Sequence, residues 1–216
     1  NKIAFTSGET GTYEIYTMNS DGSNVFKVTN SPFSYNSNLH PVFTKDGSRI
    51  LYACDTAGIS RNNQEICSIK TDGTDSKKLT NISSTTPVLA QGTDYIFSVN
   101  DIKLSSDGTK IAFLVAGSTG QNLATMNVDG TDFRQITNLS GPHQISFTWA
   151  TLENKLAYGT SMDGPRLYSD HSYIYTINAD GTDNKLLKTE IGYGTPQWGI
   201  KSVESNMDSV IKSLSF

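Results

Sequence analysis

Four segments of this 216-residue chain are variants of one another: IYTMNSDGSNVFKVTN (15–30), ICSIKTDGTDSKKLTN (66–81), ATMNVDGTDFRQITN (124–138) and IYTINADGTDNKLLKTE (174–190). Each holds an alternating apolar run, an Asp-Gly pair and a second short run. That reads as two strands joined by a tight hairpin, because glycine takes positive φ without a Cβ clash and the aspartate carboxylate can accept a backbone N–H. A second set precedes three of them: PVFTKDGSRILY (41–52), IKLSSDGTKIAF (102–113) and ISFTWATLENKLAY (145–158), the last without its Asp-Gly. Taken together they define a unit of four antiparallel strands, a to d, seen complete in residues 101–138.

Glycines 22, 73, 130 and 181 lie 51, 57 and 51 residues apart, more than the ~40–50 residues of a propeller blade. Insertions in loops take up the excess. The fold expected is all-β: a β-propeller of four-stranded antiparallel blades, four in number, closed by pairing of the N- and C-terminal strands. The chain is read as one domain, 1–216, with blade 1 split (1–30 plus 195–200), blade 2 at 40–81, blade 3 at 101–138, blade 4 at 144–190 and a tail at 203–216. The split follows from the opening residues KIAFTS, a strand b with no strand a before it, and from TPQWGI (195–200), an a-like segment with no b after it. Closure would remove a sheet edge that otherwise invites association. The tail segment SVIKSLSF is the other candidate for the closing strand, and YIFSV (95–99) is strand-like within an insertion.

Composition excludes several classes. Hydrophobic residues make up 36% and charged residues 18%, enough for a buried core. Seventeen basic against 21 acidic residues give −4 with no basic run, which argues against a nucleic-acid backbone as partner. No apolar run approaches the length of a membrane span.

IAFTS (3–7), IYTMNSDGSN (15–24), KLTN (78–81) and DGTKIAFLV (107–115) resemble the TolB-like family of WD-type β-propellers, whose blades carry Pro-x-aromatic-Ser-x-Asp-Gly-x-Lys-Ile-Ala-Phe followed by Ile-Tyr-x-Met-Asn-x-Asp-Gly. The chain departs from it in having four blades rather than six or more, and Thr-Lys-Asp-Gly or Ser-Ser-Asp-Gly in place of Ser-Pro-Asp-Gly. The resemblance implies an exported bacterial protein, periplasmic or extracellular. It implies a monomeric, non-enzymatic binding module for a protein, peptide or glycan. The competing implication is a divalent-metal-dependent polysaccharide lyase of the oligogalacturonate-lyase kind, since some lyases of this fold hold a metal at the channel mouth.

Blade geometry divides the residues between two faces. The a–b and c–d turns share one, where Asp-Gly hairpins leave little room for a site. The b–c and d–a connections share the other, and they carry Phe33, Tyr35, Arg61, Tyr95, Phe97, Arg166, Tyr168, His171 and Tyr193. Long loops on a rigid scaffold are where binding concentrates, and aromatics with arginine are the usual anchors. Aligning Phe43, Leu104, Phe147 and Trp198 along strand a brings His40, Asp101, Gln144 and Thr195 to one level, with His143 beside Gln144. Imidazole, carboxylate and amide at the channel entrance are the ligand types for a divalent ion; no other cofactor is expected. No Gly-x-Ser-x-Gly, His-Glu-x-x-His or phosphate loop is present. Cys54 and Cys67 lie on adjacent strands; a register with Tyr52 facing Ile66 puts them on opposite faces, so that a bond would need a bulge.

Overall fold

The computed structural model describes residues 1–9, 11–31, 38–55, 64–81, 98–117, 120–139, 143–162, 171–191 and 196–198. Among them are fifteen strands in four antiparallel sheets and no helix. Blade 1 has β1 (Lys2–Ser7), β2 (Glu14–Asn19) and β3 (Phe26–Lys27); blade 2 has β4 (Asn38–Phe43), β5 (Arg49–Asp55), β6 (Gln64–Lys70) and β7 (Lys77–Lys78). Blade 3 has β8 (Ser98–Leu104), β9 (Lys110–Gly117), β10 (Gly120–Asn127) and β11 (Arg134–Gln135). Blade 4 has β12 (His143–Trp149), β13 (Lys155–Met162), β14 (His171–Asn178) and β15 (Lys185–Ile191). Each sheet runs in chain order, so every neighbour is a hairpin. Part of the YIFSV segment, Ser98 and Val99, opens β8.

The hairpin glycines 22, 47, 73, 108, 130 and 181 have φ between 69° and 93°. In each turn the aspartate Oδ1 accepts the N–H two residues on, at 2.9 to 3.1 Å. Strand parity then sorts the apolar side chains between neighbouring blades. Ile50, Tyr52, Cys54 and Ile69 of blade 2 meet Ile15 and Val28 of blade 1. Leu51, Ala53 and Ile66, from the other face, meet Ile111, Phe113, Val115 and Met126 of blade 3. Ala112, Leu114 and Leu123 meet Leu156, Tyr158 and Ile177 of blade 4.

A polar device repeats beside this core. The threonine of the Thr-Asn pair ending each unit accepts the N–H of the strand-c residue opposite: Thr29 from Ile15 at 2.9 Å, Thr80 from Ile66 at 2.8 Å, Thr137 from Leu123 at 2.8 Å. Its hydroxyl then donates to a buried acceptor one residue earlier, Glu14 (2.5 Å), Glu65 (2.6 Å) or Asn122 (3.0 Å). Glutamines join successive blades: Gln64 Oε1 accepts the Val99 N–H at 3.0 Å, and Gln121 Oε1 accepts the Ile145 N–H at 3.1 Å. Blade 4 has Tyr173 and Lys188 where the others have the acid or amide and the threonine, and its fourth strand continues to Ile191.

One sequence expectation, the cysteine register, meets a different arrangement. Tyr52 faces Cys67 and Cys54 faces Glu65, so the cysteines are diagonal neighbours on one face. They form a disulfide with Cα atoms 5.8 Å apart and no bulge; the corresponding pair in blade 1 is Phe5 with Tyr16. As for closure, blade 1 shows three strands and no strand pairs with the free edge of β1 among the described residues. Pro196–Trp198 form no strand, and residues 195, 199, 200 and the tail lie outside the described residues.

Candidate functional site

In β4 and β8 the register slips, between Leu39 and Val42 and between Asn100 and Lys103. Two residues thereby oppose one, as in a β-bulge, and such bulges re-aim side chains next to functional sites. His40 and Asp101 sit at the two bulges with φ of 54° and 52°, a left-handed conformation in which His and Asp are enriched among non-glycine residues. The equivalence predicted for this pair is therefore realised in the backbone.

Their side chains begin a polar chain across three blades. His40 is hydrogen-bonded to the Asn100 side chain; loss of hydration pushes its imidazole pKa down, while that bond and the Asp101 charge oppose the shift. Asp101 Oδ2 is 3.0 Å from Lys103 Nζ. The Lys103 ammonium donates to the Phe147 carbonyl at 2.6 Å and stands 4.5 Å from the centre of the Phe147 ring. The Trp149 Nε1–H closes the connection by donating to the Lys103 carbonyl at 2.9 Å.

The other two residues of the proposed ligand set lie elsewhere. β12 has no bulge, and its register puts Phe147 opposite Tyr158, Gln144 opposite Ser161 and His143 opposite Met162. Trp149, opposite Leu156, rather than Phe147, is then the counterpart of Phe43 and Leu104, which face Ile50 and Ile111. Gln144 stands level with Ser98, several residues up the strand from His40 and Asp101, and Thr195 lies outside the described residues. Among the described residues no three His, Cys, Asp or Glu side chains are grouped to hold a metal. With its carboxylate on an ammonium, Asp101 is arranged as one half of an ion pair, and a divalent cation arriving there would compete with Lys103.

Of the loop-face residues, Phe33, Tyr35, Arg61, Tyr95, Phe97, Arg166, Tyr168 and Tyr193 lie outside the described residues. His171 opens β14, its backbone paired with Ile191. The strand ends bounding these connections, at Asp55 and Gln64, Lys78 and Ser98, and Met162 and His171, all belong to the end of the blades opposite the Asp-Gly turns.

At the turn end a cleft of about 530 Å³ opens between blades 2 and 3, lined by Lys45, Asp46, Arg49, Lys77 and Asp129 among others. Its charges are already engaged. Lys45 Nζ donates to the Ser106 and Asp107 carbonyls at 3.1 and 3.3 Å, and Asp75 Oδ2 lies 2.8 Å from Arg49 and 3.3 Å from Lys77. The cleft braces two blades. Neither this bracing nor the Thr-Glu and Gln latches was anticipated; the recurring Thr-Asn at 29–30, 80–81 and 137–138 was the available signal.

No family model and no curated sequence matches the chain. Among solved structures it is similar to a protein assigned as TolB from Agrobacterium tumefaciens, with a TM-score of 0.58 and 18% identity over 88% of this chain. The fold is a β-propeller. The propeller blades align as well with a GH74 enzyme from Niastella koreensis (TM-score 0.58, 13% identity, 86% of this chain and 27% of that one). Oligopeptidase B from Leishmania major gives a TM-score of 0.56 at 11% identity over 91% of this chain and 28% of that one. The propeller described here spans 62% of the TolB chain. At these identities the likeness concerns the fold. Among the described residues no helix is long and apolar enough to cross a membrane.

Proposed function

We propose that this TolB-like propeller is a non-enzymatic binding module of an exported bacterial protein, working in the periplasm or outside the cell. It would take a protein, peptide or glycan through the face that bears the long connections. The observation that carries this reading is the asymmetry of the blades. At one end the chain reverses through stiff Asp-Gly turns whose carboxylates bond within their own turns, with Arg49 paired to Asp75 inside blade 2 and Lys45 bonded to the next blade, and the long, aromatic-rich connections leave from the other end. The Cys54–Cys67 disulfide supports export, since such bonds persist in oxidising compartments.

The test is to present the protein to envelope extract and to a glycan array alongside two loop variants and one turn variant. Tyr35→Ala or Tyr168→Ala should weaken capture by about 1–3 kcal/mol if either is an anchor, with folding preserved. Asp129→Ala should leave capture intact; the opposite pattern would move the site to the turn face. Elemental analysis separates the lyase reading. Stoichiometric metal lost on His40→Ala would replace the binding module with a metal-dependent enzyme.

A further inference from the structure

The interfaces between blades 1 and 2, 2 and 3, and 3 and 4 use the same repeat positions, and the first of them is underfilled. In blade 3 the Phe133 ring lies 6.1 Å from that of Phe113 and packs against the core shared with blade 2. In blade 4 the Tyr175 ring stacks on Tyr158 at 4.9 Å. Blade 2 has neither second ring: counted from the Asp-Gly turns, Ser76 stands at the position of Phe133 and Cys67 at that of Tyr175. Tyr52, the counterpart of Phe113 and Tyr158, has its hydroxyl 3.3 Å from that of Ser76. A niche of about 330 Å³ occupies the place, lined by Tyr52, Cys67 and Ser76 on one side and Val28 of blade 1 on the other.

The niche has an apolar part and a polar part. Val28, Ile69 and the Cys54–Cys67 disulfide form its walls. Its turn end is shut, because a Cβ on Gly73 would come within 2.9 Å of the Val28 carbonyl. Toward the opposite end of the blades Ser31, Asn38 and Asp55 line it. The Ser31 N–H and the Asn38 Nδ2 donate to the fully buried Glu14 carboxylate behind them, at 2.7 and 2.8 Å. Burial pushes the Tyr52 phenol pKa up; the Ser76 hydrogen bond opposes the rise and the Glu14 charge adds to it, so the field of that carboxylate reaches the niche. Among the described lining residues Asp55 carries the one charge, and none is a cation.

We propose that this niche receives a lysine side chain from a peptide or protein partner, its methylene stem between Val28, Ile69 and the disulfide and its ammonium beside Asp55. Lysine buries an apolar stem while keeping a charged head on polar groups, which matches the two parts of the niche in order. The sign of the charge selects the head: an ammonium is drawn to the Asp55 carboxylate and the Glu14 field, whereas an acidic side chain would be repelled by both. An apolar side chain would leave the Asp55 end without a partner group. The site lies within a seam between two blades and stands whether or not the long-connection face binds anything.

Titration of the full chain with Nα-acetyl-lysine methylamide, followed through the methyl resonances of Val28 and Ile69, tests this. The shifts should saturate, and the norleucine derivative, which has the stem without the ammonium, should bind about tenfold more weakly for want of the charge-assisted contact. Asp55→Asn should erase the difference between the two ligands, which a merely structural role for Asp55 would leave in place. Ser76→Phe, a change at an exposed position that copies blade 3, should abolish binding of both ligands while the unfolding temperature holds or rises. The wild type alone decides the matter if either variant misfolds: the absence of saturable shifts, or equal affinity for the lysine and norleucine derivatives, would overturn the proposal. Unchanged binding to folded Ser76→Phe would overturn it too, by placing the ligand elsewhere.

Discussion

Thr17 and Thr125 hold the same place in strand c of blades 1 and 3, and their hydroxyls meet different fates. Thr125 Oγ donates to the Ala179 carbonyl of the next blade at 2.7 Å. Thr17 Oγ1 is buried without a partner among the described residues. A buried hydroxyl that loses its bond leaves an unsatisfied acceptor, whereas removing one that never had a bond removes a desolvation penalty. Thr125→Val should therefore cost about 1–3 kcal/mol in urea unfolding and Thr17→Val should be neutral or stabilising. Equal losses would show that the Thr125 bond contributes nothing. The hairpin aspartates add a pH dependence. Hydroxyls of Thr44 and Ser48 hold the Asp46 carboxyl at about 2, and the Thr109 N–H with the Ser105 hydroxyl holds Asp107 at about 2, against 3.8 for a free aspartate. A depressed carboxylate stabilises the fold at pH values above its unfolded pKa and loses that contribution as pH falls through the folded one. The window is thus from 3.8 down to about 2. Replacing both by asparagine should flatten the dependence of Tm on pH in that window, and an unchanged slope would assign the acid sensitivity elsewhere.

Between strands β5 and β6 the informative unit is a diagonal pair. Opposed residues in neighbouring strands share a face, and so do residues two apart, so Cys54 and Cys67 meet because Tyr52 faces Cys67. Their bond ties the two ends of the b–c connection, at a sequence separation of 13. Loops of that length gain roughly 3 kcal/mol from cross-linking in the chain-entropy account. Cys54→Ala/Cys67→Ala, compared with the oxidised protein by thermal and urea unfolding, should lose stability of about 2–4 kcal/mol. A smaller loss would mean that the connection is already ordered without the bond. Blade 4 is the exception among the elements. With Lys188 in place of the threonine latch, β15 runs seven residues while the other fourth strands run two.

For the molecule as a whole, interfaces lie in series: blade 1 on 2, 2 on 3, 3 on 4. Arrays of repeats that contact only their neighbours lose structure from the ends inward. Amides of β1 and β15 should therefore exchange hydrogen well before those of β5 and β9. Protection of β1 equal to that of β9 would mean that the chain ends meet within one molecule, as the pairing of 195–200 with β1 requires.

Blades, hairpins and their order were legible from sequence because each rests on local physics. Asp-Gly at a fixed offset between alternating runs permits little but a hairpin, and four copies permit little but a stack of sheets. The loop-face residues were readable as a set for the same topological reason. What sequence could not supply was register. Strand β12 pairs two residues out of the expected register, with Trp149 where Phe147 was aligned, and lacks the bulge of β4 and β8, which together separate Gln144 from His40 and Asp101; a one-residue shift between β5 and β6 turns two cysteines from opposite faces to the same one. Spacing along a strand says nothing about a bulge, in which one residue is left out of the pairing with the partner strand. The exposure of Ile3 and Leu187 is likewise a tertiary fact: by type both belong in a core, and only the arrangement of blades determines which apolar residues are covered.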